Sequence, residues 1–196
     1  MTNLKIAVQK SGRLNDESFT LLKECGISIN NGKDQLMAQA SNFPMEVLYL
    51  RNSDIPQYVK DGIADIAIIG DNTEKEKKTG IENVLNLGFS KCRLSIAVPK
   101  SVDFKDISYL QGKRIATSYP TSLRDFLEEN KINAEIHEIS GSVEIAPNIG
   151  LADAICDLVS TGSTLFKNGL KEVYKIFESQ AILAANPDLS PEKRAF

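Results

Sequence analysis

The sequence of 196 residues contains no tryptophan, a single histidine, His137, and three cysteines, Cys25, Cys92 and Cys156. An odd cysteine count without a CxxC pair supports neither a disulfide framework nor a structural zinc site, and reduced thiols in a cytoplasmic protein are the simplest account. His137 sits in the alternating segment AEIHEI, at a solvent-side or core-edge position, and with one histidine and no paired thiols, histidine-dependent triads find little support. An excess of one charge is also missing. Twenty-six acidic against 23 basic residues give a net charge of −3, which argues against a nucleic-acid partner, although a small anionic ligand needs only a few local cations. Long apolar runs are absent: AIIG at 67–70 falls far short of the roughly 20 residues of a membrane span, and MTNLKIAVQ lacks the apolar region of a signal peptide. Neither membrane insertion nor secretion is expected, and the predicted location is cytoplasmic.

What is present is an alternation of short apolar runs with amphipathic ones. Leu4 to Val8 reads as a buried strand, followed by a helical pattern from about Asn15 to Cys25 with Phe19, Leu22 and Cys25 on one stripe. Asn30, Asn31 and Gly32 make a turn between ISI and LMAQA, and MEVLYL reads as a strand, so an antiparallel piece interrupts the β/α alternation. Asp54 is placed to cap a short helix from Pro56 to Gly62, and IADIAIIG follows as a buried strand. Glu74 to Lys78 reads as a solvated face or mobile loop. Further on, Arg93 to Val98, Arg114 to Thr117 and Ala134 to Ile139 read as strands and Thr121 to Asn130 as a helix. Pro99, Lys100 and Ser101 suggest a crossing between halves. The fold class is α/β.

The most informative segment is Glu144 to Leu165, EIAPNIGLADAICDLVSTGSTL. Ser160, Thr161, Gly162, Ser163 and Thr164 offer hydroxyls, and a Ser/Thr/Gly turn can aim successive N–H groups at an anion. Asp153 and Asp157, four residues apart, share one side in either a helix or a strand. Ionised aspartates accept hydrogen bonds, so both can hold adjacent ribose hydroxyls. This combination suits a phosphorylated sugar; a buried strand AICDLV followed by an ordinary turn is the alternative.

Three smaller constellations carry similar alternatives. Lys10, Gly12 and Arg13 follow the first strand, where open α/β sheets place ligands, although a solvated loop would look the same. Arg13 can fork two phosphate oxygens, whereas Lys10 acts as a point charge. Gly70, Asp71 and Asn72 follow a strand and either line a cleft or form a plain turn. Ser118 and Tyr119 end another strand, with Tyr119 offering a face for a purine or simply capping the next helix.

The segment at 144–165 resembles the signature of the ATP phosphoribosyltransferases, the enzymes that open histidine biosynthesis. QKSGRL at 9–14, RNSDIPQYVKDGIADIAIIGDN at 51–72, GFSKCRLSIAVP at 88–99 and GKRIATSYP at 112–120 resemble further blocks of that family in order and spacing. The resemblance implies a two-lobed architecture with mixed sheets, like type II periplasmic binding proteins. Lobe I would comprise 1–98 plus 174–196, and lobe II 99–173. It implies transfer of a phosphoribosyl group from phosphoribosyl pyrophosphate to N1 of ATP. In that reading Asp153 and Asp157 serve the ribose, 160–164 the 5-phosphate, and Lys10 and Arg13 with Mg²⁺ the pyrophosphate. Glu144 orients the loop or assists the Mg²⁺, which rides on substrate rather than on a protein-built metal site. Gly12, Arg13, Asp71, Ser118 and Tyr119 would contact nucleotide or pyrophosphate.

Two departures accompany the resemblance. Many relatives carry an arginine just before the position of Leu36, where this sequence has Lys33, Asp34 and Gln35. The sequence also stops at Phe196, within a helix opening at Ser190 and Pro191, so a regulatory domain or subunit and its response to histidine are expected to lie elsewhere. A homodimer through apolar residues near Ile182, Leu183 and Leu189 is expected. The rival reading is a two-lobed binding module without turnover.

Overall fold

The computed structural model describes residues 3–30 and 35–195. The expected turn at Asn31 and Gly32, and Lys33 and Asp34 beside it, lie outside the described residues. The chain divides into two compact units, Met1–Ser90 with Gln180–Phe196, and Lys91–Ser179.

In the first unit, β1 (Leu4–Gln9), β2 (Met37–Gln39), β3 (Met45–Leu50), β4 (Ile66–Gly70), β5 (Glu82–Asn86) and β11 (Ala181–Ala185) form one sheet in the order β2-β3-β1-β4-β11-β5. β1 runs parallel to β3 and β4, whereas β2 and β11 pair antiparallel with their neighbours. Parallel strands covered on both faces must be apolar on both. Accordingly Ile6 and Val8 meet Leu14 and Leu22 of α1 (Arg13–Glu24), while Ala7 meets Ile55 and Val59 of α2 (Ile55–Lys60). Asp54 precedes α2 but does not cap it through its side chain, which instead accepts a bond from the Ser53 hydroxyl. Glu74 to Lys77 belong to a third helix, α3 (Asp71–Lys77), ended by Lys78 in the left-handed region at φ 49°.

In the second unit, β6 (Cys92–Pro99), β7 (Arg114–Thr117), β8 (Glu135–Glu138), β9 (Ala154–Val159) and β10 (Leu170–Ser179) form a mixed sheet in the order β10-β6-β9-β7-β8. One face is covered by Leu123, Phe126 and Leu127 of α4 (Pro120–Glu129) against Leu94, Ile96 and Val98. The other face places Ala97, Ile155 and Val159 beneath Val143, Ala146 and Leu165, the last from α5 (Ser163–Lys167). Because β6 and β10 pair along their whole length in this sheet, the unit boundaries fall at 90/91 and 179/180 instead of 98/99 and 173/174. Pro99 ends a strand and the N–H of Lys100 bonds to Gly169, so 99–101 is a turn inside the second unit.

β11 is an interior strand between β4 and β5, which buries Ile182 to 2% exposure. Ile182 is therefore core and unavailable to a second copy. A last helix, α6 (Pro191–Arg194), is opened by the Ser190 hydroxyl, which accepts from the Lys193 N–H. It is tied down by Lys193 Nζ on the buried Asp65, at 2.7 and 2.8 Å. Among the described residues no helix is long and apolar enough to cross a membrane.

Candidate active site

The second unit carries the most organised polar surface. β9 delivers the chain from a buried strand into an exposed turn at Ser160 and Thr161, and Gly162, with φ 78°, opens α5. A residue with a Cβ is strained in that left-handed backbone, so glycine is required by conformation, not by space: a Cβ there would meet only Val159 Cγ1 at 3.9 Å. The Thr161 hydroxyl lies 3.1 Å from Ser163 Oγ, and the Ser163 N–H points to Thr161 Oγ1 at 3.4 Å. Ser160, Thr161, Ser163 and Thr164 are exposed, and the first N–H groups of a helix have no intrahelical acceptor. Four exposed hydroxyls thus cluster on one short turn at the opening of α5.

Asp157 lies on the same face of β9 as Ile155 and Val159, opposite Ser95 of β6. Burial first, and the charge of Glu144 second, push its carboxyl up to about 6. Its Oδ1 accepts the Leu158 N–H at 2.8 Å. Glu144 comes from the short 3-10 helix Val143–Ile145 that packs over this face. Two carboxylates close enough to repel therefore stand on the face from which the turn leaves.

Asp153 lies four residues before Asp157 on the same extended segment and has different surroundings. Four strand residues span roughly 13 Å at about 3.3 Å each, so Asp153 stands at the far end of β9 from the turn. There the Arg114 guanidinium meets it, Nη2 to Oδ1 at 3.1 Å, and the Arg114 backbone N–H bonds to Oδ2 at 2.9 Å. These bonds hold Asp153 below the usual carboxylate range. These contacts tie Asp153 to the start of β7, and the carboxylate whose charge acts on Asp157 is that of Glu144.

Ser118 and Tyr119 are likewise committed within the fold. The Ser118 hydroxyl donates to the Ile139 carbonyl at 2.7 Å and accepts the Gly141 N–H at 3.2 Å. Tyr119 packs its ring against the core under α4, immediately before Pro120 at the start of that helix. Arg93 is the residue that spacing did not reveal. Its Nε and Nη2 fork the Glu172 carboxylate at 2.6 and 2.5 Å, and Nη1 reaches the Ser160 carbonyl at 3.1 Å. Its partners lie 67 and 79 residues away in sequence, beyond any local pattern.

In the first unit, Lys10, Ser11, Gly12 and Arg13 form an exposed turn between β1 and α1. Gly12 has φ 92°, and the loop is braced by Gln9 Nε2 on Ser11 O and Asn15 Nδ2 on Gln9 O, both at 2.6 Å. Arg13 Nε lies 3.9 Å from Glu17 Oε2 with half of its side chain exposed. Asp71 opens α3 and is engaged by Lys75 Nζ at 2.9 Å and the Gln180 N–H at 3.3 Å, so it secures the return of the chain into this unit. The two units supply separate cationic and acidic polar turns.

Residues 51–195 match the family model described as ATP phosphoribosyltransferase. A Cytophaga hutchinsonii protein named ATP phosphoribosyltransferase is 61% identical over 194 residues, 99% of this chain and 68% of the relative. The chain belongs to the ATP phosphoribosyltransferase family. A solved structure of the family, from the Thermotoga maritima HisG:HisZ complex, superposes with a TM-score of 0.84 at 30% identity, covering 98% of this chain and 92% of that one. The Escherichia coli aliphatic sulphonate binding protein SsuA has a TM-score of 0.64 at 13% identity, over 99% of this chain and 68% of that chain. That likeness bears on fold alone, and it fits the two-lobed α/β architecture expected of an ATP phosphoribosyltransferase. Family members are transferases of histidine biosynthesis.

Proposed function

We propose that this chain catalyses transfer of the phosphoribosyl group from phosphoribosyl pyrophosphate to N1 of ATP, giving phosphoribosyl-ATP and pyrophosphate, the first step of histidine biosynthesis. The observation that carries this reading is the juxtaposition, in the second unit, of the Asp157–Glu144 acid pair and the Thr161–Thr164 turn.

N1 of the adenine attacks C1 of the ribose as the bond from C1 to the pyrophosphate oxygen breaks, and positive charge develops on the sugar. Fixed carboxylates at that position stabilise such charge and also accept bonds from the ribose hydroxyls. The turn at 160–164 holds the 5-phosphate, and Lys10 and Arg13 supply cations for the pyrophosphate or the nucleotide phosphates. No protein nucleophile is required, because alignment of the two substrates supplies much of the rate.

Mg²⁺ fits this donor set through the substrate. It takes oxygen ligands from one or two carboxylates together with substrate phosphates and waters. Among the described residues no group of three or more His, Cys, Asp or Glu side chains gathers to hold a metal, while Glu144 and Asp157 offer two carboxylates. Bound there, the ion would neutralise charge on the departing pyrophosphate.

Cys25, Cys92 and Cys156 form no disulfide, which suits a reducing, cytoplasmic setting. The Thermotoga relative occurs in a HisG:HisZ complex, and we extend a multi-subunit assembly to this chain. The test is release of pyrophosphate in the presence of both substrates and Mg²⁺. Release that needs both substrates supports the reading, and absence of release from a folded chain that binds neither substrate refutes it.

A further inference from the structure

The polar face of the second sheet contains one ion pair whose position relates it to the turn rather than to the core. Arg93, at the start of β6, is opposite Val159, the last residue of β9 before the turn. Two of its nitrogens are held by Glu172 of β10, and the third donates to the Ser160 carbonyl. Glu172 is itself anchored, since the buried Ser95 hydroxyl donates to its Oε1 at 2.8 Å.

A peptide bond is planar and trans, so the direction of a carbonyl fixes the opposite direction of the next N–H. By holding the Ser160 carbonyl, Arg93 turns the Thr161 N–H away from itself. An arginine is suited to this task because its planar fork can satisfy a carboxylate with one edge and still donate elsewhere. Lysine, a point charge on a flexible stem, cannot reproduce both contacts. With Glu172 beside it, the guanidinium is neutralised locally, so its contribution to anion binding is mainly geometric.

We infer that Arg93, clasped by Glu172 and Ser95, is a positioning residue that presets the turn at 160–164 for the 5-phosphate of the sugar substrate. The inference rests on the assignment of that turn to phosphate under the proposed function. An unbraced turn must be ordered at the moment of binding, which weakens affinity without changing any group that touches the ligand.

The experiment measures binding of ribose 5-phosphate, phosphoribosyl pyrophosphate and ATP by calorimetry to the parent chain and to Arg93→Met, Arg93→Lys, Glu172→Met and the Arg93→Met/Glu172→Met double variant, together with thermal midpoints. Replacing both partners by apolar groups avoids leaving one charge unpaired, which keeps the double variant folded. Each single methionine variant should lose about tenfold or more in affinity for both sugar phosphates, the scale of one lost bond to a charged donor. ATP affinity should stay within about twofold. Arg93→Lys should recover part of the loss, and the double variant should be no weaker than the single variants, as expected of residues acting as a unit.

Unchanged sugar-phosphate affinity in folded variants overturns the inference. A parallel fall in ATP affinity and thermal midpoint also overturns it, because that pattern marks a general structural role. A parent chain that binds neither sugar phosphate removes the functional reading itself, and this result is distinguishable because it appears before any substitution is made.

Discussion

Asp153, just before β9, and Asp157, within it, have opposite surroundings: Arg114 holds the first in a fork, with Nη2 3.1 Å from Oδ1, while the second is half-buried beside the charge of Glu144. Replacing each by asparagine should therefore separate stability from turnover. Asp153→Asn should lower stability by about 1 kcal/mol, the discounted scale of a partly exposed pair, and leave turnover within about threefold. Asp157→Asn should reduce turnover by about 10²-fold, the scale of one preorganised electrostatic contact. Steady-state kinetics with denaturant unfolding of both variants checks this pair of outcomes.

The same Asp157→Asn substitution should stabilise the fold at neutral pH. A carboxyl raised from its ordinary value of 3.8 to about 6 holds a proton in the native state that the unfolded chain has already lost. Its favourable contribution is complete below about pH 4 and disappears as pH rises through about 6. Above that pH the half-buried charge costs about 2–3 kcal/mol, by the free energy of a shift of this size. Removing the charge should recover part of this at pH 7.5 and none of it near pH 4. Urea unfolding of parent and variant across this range gives the comparison; a stability difference that does not vary with pH would contradict the raised carboxyl.

Activity should follow the ionised form of Asp157, because only that form accepts bonds at both oxygens. Turnover is expected to fall as pH drops through about 6, and the Asp157→Asn variant should lose this limb of the profile. A pH–rate profile of each chain measures it.

Gly162→Val should abolish binding of phosphoribosyl pyrophosphate and leave the chain folded. The backbone at φ 78° penalises a β-branched residue by about 1–2 kcal/mol, although open space is available for the side chain. The turn relaxes and the converging donors separate. Calorimetry with circular dichroism decides the outcome, and unchanged affinity in a folded variant would remove the turn from the site.

How far the sequence reveals this molecule depends on whether the relevant partners are near one another in the chain. Leu4 to Val8, MEVLYL and AICDLV are legible as strands because their apolar runs are local, and the Ser/Thr/Gly composition marks the turn at 160–164. The boundary of the units is not legible, because it follows from the pairing of β6 with β10 across more than seventy residues. Ile182 looks available for an interface when read alone and is buried once β11 enters between β4 and β5. Strand periodicity places Asp153 and Asp157 on one side but carries no information on their partners, and the Arg114 fork that engages Asp153 comes from 39 residues away. Arg93 shows the same limit, since nothing next to it in sequence indicates that it braces Ser160.

The most direct test of the central claim is to incubate the chain with ATP, phosphoribosyl pyrophosphate and Mg²⁺, and to identify both products by mass spectrometry and phosphorus NMR. The account predicts pyrophosphate and an ATP adduct carrying one phosphoribosyl group at N1, formed in equal amounts and only when both substrates are present. Binding of both substrates by a folded chain with neither product formed, as a two-lobed binding module would give, or pyrophosphate released without the adduct, would contradict it.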